Sequence, residues 1–163
     1  MNKKLVIYYS FEGSTKFIAQ TIAQTLKADL LELKPVKEIH SKGFMKYFWG
    51  GRQVVMKIKP PLETLDKNPN DYDVIIIGTP VWAWSFAPPL LTFFSQIKLT
   101  NKKIALFCCH EGQSGKTLAK MEKKLLGNQI IGKKDFLKVF ANEQENMKIA
   151  EDWARQFISE IND

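Results

Sequence analysis

Three short segments hold most of the side chains suited to binding or chemistry. The first is Ser10-Phe11-Glu12-Gly13-Ser14-Thr15. Ser10, Ser14 and Thr15 supply hydroxyl donors, and Gly13 permits a tight turn in which backbone N–H groups converge. A helix starting there adds the positive end of its dipole, and such a set holds a phosphate dianion without Lys or Arg. The same residues equally suit an ordinary hydroxyl-capped helix start. The dinucleotide fingerprint G-x-G-x-x-G is absent.

The second segment is Gly78-Thr79-Pro80-Val81-Trp82-Ala83-Trp84-Ser85-Phe86. It reads as a loop after a buried strand, where polar residues are the rule. Trp82, Trp84 and Phe86 instead present flat apolar faces suited to an aromatic ligand, or to capping the core. The third is Cys109-His110-Glu111-Gly112-Gln113-Ser114-Gly115, in which Gly112 and Gly115 allow close backbone approach to a ligand edge. Gly115-Lys116-Thr117 looks like the end of a nucleotide-hydrolase phosphate loop. That motif needs glycine where His110 stands, so the reading is set aside.

No catalytic residue is assigned. His110 and Glu111 are an acid–base pair by type, but adjacent residues on an extended segment point apart. Neither His40 nor His110 has partners at metal-ligand spacing, so no metal is expected. Cys108 and Cys109 read as reduced thiols at a strand end, one facing each side.

The elements that must position these segments alternate. Lys4–Tyr9, Leu30–Leu33, Val74–Ile77 and Lys103–Cys109 are short apolar runs that read as buried strands. A weak fifth lies around Ile130–Ile131 and resumes at Phe136–Phe140. Helical spacing follows in Phe17–Leu26, in a helix opened by Pro88 and Pro89, in Ser114–Gly127 and in Ile149–Ile161. The pattern predicts an α/β fold: a parallel sheet with helices on both faces and right-handed crossovers. The 163 residues suit a single domain with an irregular insertion at about 35–72.

Composition narrows the class. Apolar residues are 45% and charged residues 25%, the balance of a folded soluble chain. The net charge is +7, but only Arg52 and Arg155 are arginines, so nucleic-acid binding is not expected. Val74–Phe94 is long enough to span a bilayer, yet Gly78, Pro80, Pro88 and Pro89 interrupt it, so no membrane span is expected. The start has no signal-peptide core, which makes the cytoplasm the expected compartment.

Taken together, the three segments resemble the flavodoxin-like family. Ser10–Thr15 looks like its phosphate loop for flavin mononucleotide (FMN), and GTPVWAWSFAPP matches a G-T-P-V-W-x-x-x-x-A-P-P pattern that flanks the flavin ring. The Gly-rich segment after the fourth strand looks like the loop on the ring's other side. The resemblance implies a three-layer sandwich with a five-stranded parallel sheet in order 2-1-3-4-5. It implies FMN with its phosphate on Ser10, Gly13, Ser14 and Thr15 and its ring along Pro80, Val81, Trp82, Ala83 and Trp84. Cys109, His110, Glu111, Gly112 and Gly115 would bound the pyrimidine edge.

Glu12 departs from the usual phosphate loop and is expected to point to water. Two roles follow from the resemblance: an electron carrier serving a redox partner protein, or a small oxidoreductase passing electrons from NAD(P)H to a quinone-type acceptor. Phe44, Tyr47, Phe48 and Trp49 suit a roof over the flavin, a homodimer contact or a satellite core. The alternative from another class is a cofactor-free regulatory or interaction module on the same fold.

Overall fold

The computed structural model describes residues 2–38 and 51–162. His40 and the aromatic run from Phe44 to Trp49 lie outside the described residues. The apolar runs become the strands β1 (Lys4–Tyr8), β2 (Asp29–Glu32), β3 (Val74–Trp82), β5 (Lys103–His110) and β6 (Gln129–Leu137). A two-residue strand, β4 (Ser85–Phe86), pairs only with β3 and runs antiparallel to it. The parallel path is β2-β1-β3-β5-β6, which is the expected 2-1-3-4-5 order once the short β4 is set aside.

Helices α1 (Ser14–Leu26) and α4 (Glu143–Asn162) cover one face of the sheet, where Ile18, Ile22, Phe107, Trp153 and Phe157 form one core. Helices α2 (Pro88–Gln96) and α3 (Thr117–Glu122) cover the other, where Ile75, Ile77, Leu90, Phe93, Leu106 and Met121 form a second. The strands between are apolar on both faces because both faces are covered. Strand alternation therefore sends Cys109 to the α1–α4 core and Leu106 to the α2–α3 core. No helix among the described residues is long and apolar enough to cross a membrane.

The chain from Gly78 to Phe86 is not the loop expected. β3 continues to Trp82 and folds back through β4, with Val81 opposite Phe86 and Trp82 opposite Ser85. Past the end of its parallel partners, the strand satisfies its backbone by pairing with itself. Ala83 and Trp84, at φ 47° and 56°, make the two-residue turn. Both are left-handed, as the primed hairpin turns require, although neither is Gly or Asn. Thr79 is fully buried behind this hairpin, and its Oγ1 accepts the Ala87 N–H at 3.0 Å just ahead of α2.

Two other elements differ from expectation. β6 is one continuous strand rather than two pieces, its irregularity absorbed by a register shift opposite Ile104/Ala105. α3 stops at Glu122, short of Gly127. The long excursion after β2 closes on itself: Pro35 bridges Leu62, and the Glu63 N–H donates to the Lys34 carbonyl at 2.7 Å.

Candidate cofactor cleft at the carboxyl ends of the strands

A cleft of about 400 Å³ opens where β1, β3 and β5 end. That volume lies in the range of cofactor pockets. Its first wall is the β1–α1 turn. Gly13, at φ 102°, reverses the chain, and its N–H donates to Ser10 Oγ at 3.2 Å. α1 then begins at Ser14 with no side-chain cap. The Phe17 N–H is the first to reach back, to the Gly13 carbonyl at 2.9 Å. The N–H groups of Ser14, Thr15 and Lys16 therefore have no helical carbonyl to bind. The hydroxyl-capped start left open by the sequence is absent. Ser10, Ser14 and Thr15 all line the cleft. Glu12 also reaches its rim and is exposed, as expected.

The second wall is the β3–β4 hairpin, through Pro80, Val81, Trp82 and Ala83. The Trp82 indole is gripped edge-on by Tyr9 and Phe11, with ring centroids 5.7 and 5.6 Å away. Tyr9 is itself held by its hydroxyl, which donates to the Glu38 carboxylate at 3.2 Å. Burial, and then the Glu38 charge, push the Tyr9 phenol up, so it stays a donor. Trp84 is 66% exposed, outside the cleft wall, and rests against Gly115.

The third wall is the end of β5: Cys109, His110 and Glu111. Both thiols are buried. Burial pushes Cys108 up to about 12, with the Asp135 charge adding to it. Burial pushes Cys109 up as well, against a hydrogen bond from Thr15 that works the other way. Neither is a thiolate near neutral pH. The His110 ring is 7% exposed, and its Nε2 lies 2.7 Å from Asp135 Oδ2. Gly112 and Gly115 belong to the loop beyond and do not line the wall.

Sequence reasoning missed Phe11, Gly51 and Val139, which complete the lining. Phe11 stands among the hydroxyls of the first segment, and Gly51 lies in the 35–72 insertion, where no pattern marks it. Val139 follows β6 and gave no signal. Among the described residues no cluster of three or more His, Cys, Asp or Glu is placed to hold a metal ion.

A family model described as Flavodoxin matches residues 3–153. The chain belongs to the flavodoxin family. A flavoprotein from Lactobacillus acidophilus NCFM, solved in complex with FMN, is 26% identical with a TM-score of 0.73 and covers 94% of this chain and 99% of its own. The NMR structure of the apo-form of the Lactobacillus flavoprotein is 26% identical, with a TM-score of 0.66 over 87% of this chain and 97% of its own. Oxidised flavodoxin 2 from Bacillus cereus is 19% identical, with a TM-score of 0.64 over 97% of this chain and 99% of its own, a likeness of fold. No curated protein matches the chain. In this flavodoxin-family protein the cleft lies at the switch point of strand order, between β1 and β3, where open α/β sheets bind ligands.

Proposed function

We propose that the protein binds FMN in this cleft and transfers electrons through it. One observation carries the reading. An uncapped helix N-terminus and an aromatic-walled slot open into the same cavity, so one ligand must be anionic at one end and flat at the other. When bound, FMN supplies the redox chemistry, accepting and releasing electrons.

The chain's own residues bind and orient it. Ser10, Ser14 and Thr15 hold the phosphate with N–H and hydroxyl donors, and Gly13 turns the chain so that they face the cleft. Pro80, Val81, Trp82 and Ala83 line the ring, and Tyr9 with Phe11 fixes the Trp82 indole in advance. Cys109, His110 and Glu111 border the far edge. Gly112 and Gly115 shape the loop behind them, and Gly115 leaves room for the Trp84 side chain beside it. No side chain is asked to act as a nucleophile. The buried thiols support that assignment.

The net charge of +7 favours an anionic redox partner, whether an acidic protein surface or a small anionic acceptor. An absorption spectrum after addition of FMN tests the reading. Protein-bound flavin bands that bleach with dithionite support electron transfer, and bleaching by NADH or NADPH alone assigns a reductase. Failure to bind supplied FMN overturns the proposal and leaves the cofactor-free module.

A further inference from the structure

His110 is the last residue of β5, and strand alternation places it on the face opposite Cys109. In the β5–β6 register Asp135 stands opposite Cys108, one step before His110 on that same face. This brings Asp135 Oδ2 to 2.7 Å from His110 Nε2. The two groups see different surroundings. The Asp135 side chain is 48% exposed, whereas the imidazole is 7% exposed in the wall of the cleft. The second ring nitrogen, Nδ1, is buried with no hydrogen-bond partner among the described residues. A buried ring nitrogen without a partner calls for an explanation.

We propose that His110 is the proton-holding group of the cofactor cleft: it takes a proton at Nδ1 when negative charge arrives on the bound flavin, while Asp135 steadies the cation and links it to solvent. The inference rests on the FMN reading above. In the neutral ring, Nε2–H donates to Asp135 and Nδ1 keeps a lone pair. In the charged ring, both nitrogens donate. Reduction by an external donor such as dithionite places two electrons and one proton on the flavin, which leaves one net negative charge on it. A second proton, from water, then sits on Nδ1, so two protons enter for two electrons and no bond forms between His110 and the ring.

The other ionisable groups nearby do not compete for this role. Glu111 adjoins His110 in the chain, and Glu12 lines the cleft from the β1–α1 turn. Cys108 lies beneath it on β5. Lys120 of α3 reaches the Trp84 carbonyl at 3.4 Å, and Lys133 of β6 is paired with Glu122 at 2.7 Å. An imidazole is the only one of these types whose ordinary range brackets neutral pH.

The test is an NMR titration of histidine in the FMN-loaded protein, oxidised and then dithionite-reduced. There are two histidines, and His110→Gln assigns the signal. The His110 midpoint is expected to rise by about one unit on reduction, as an opposite charge nearby favours the cation. Asp135→Asn, a change at a half-exposed side chain, should lower it in both states. The pH profile of the flavin potential should show a break that His110→Gln removes. An unmoved His110 midpoint in loaded protein, or a potential profile unaltered in His110→Gln, overturns the proposal. If the glutamine variant does not fold, Asp135→Asn assigns the His110 signal by moving it, and whether that signal's midpoint rises on reduction in the unsubstituted protein decides. Protein that takes up no FMN overturns the FMN reading along with it, so the two failures are distinguishable.

Discussion

At the scale of single residues, Trp82 and Trp84 looked interchangeable in the sequence and have opposite fates. Trp82 is wedged between Tyr9 and Phe11 in the cleft wall, and Trp84 stands in solvent at the hairpin tip. Trp82→Ala should weaken FMN about tenfold, the worth of one aromatic contact. An unchanged dissociation constant, read by flavin fluorescence, would remove Trp82 from the ring site. The thiols make a second prediction. Cys108 keeps its proton in the folded state up to about 12, against an ordinary value of 9.0. Below pH 9 both states hold the proton and the stabilisation is complete. Above it the unfolded chain releases a proton that the native state retains, so stability falls as pH rises through 12. Tyr8, raised from 10.0 to about 12 by burial and by Glu32, adds in the same direction. Urea midpoints at pH 8 and 10.5 should therefore differ, the alkaline one being lower.

At the scale of elements, the parallel strands were legible because burial on both faces leaves unbroken apolar runs such as Val74–Ile77. The hairpin was not, since its turn carries Ala83-Trp84 where the usual signals are Asn-Gly or Asp-Gly. Trp84→Gly should relieve a left-handed strain of about 1 kcal/mol and raise the denaturation midpoint. It should leave FMN affinity unchanged, because Trp84 lies outside the wall. β6 was blurred for another reason. It is an edge strand with Lys133, Lys134 and Asp135 in its middle, so its pattern is largely polar. Gly132 sits in that strand because a Cβ there would lie 2.5 Å from Phe157 Cε1. Gly132→Ala should destabilise the fold by about 1–3 kcal/mol through overpacking against α4, measurable by urea unfolding.

At the scale of the whole molecule, strands β1, β3 and β5 deliver all three walls to one end of the sheet. That convergence was legible through the strand order the family resemblance implies, since ligands gather at the switch point. The residues contributed by distant chain were not: Gly51 and Val139 reach the cleft only through the fold, and no local pattern marks them. The arrangement demands a ligand that is charged where α1 begins and flat where Trp82 stands. Comparing FMN with riboflavin in wild type and in Ser14→Ala isolates the charged end. FMN should bind at least about a hundredfold more tightly than riboflavin, and Ser14→Ala should cost FMN about tenfold while leaving riboflavin unaltered. Equal affinities for the two ligands, or equal losses in the variant, would contradict a phosphate site at the start of α1.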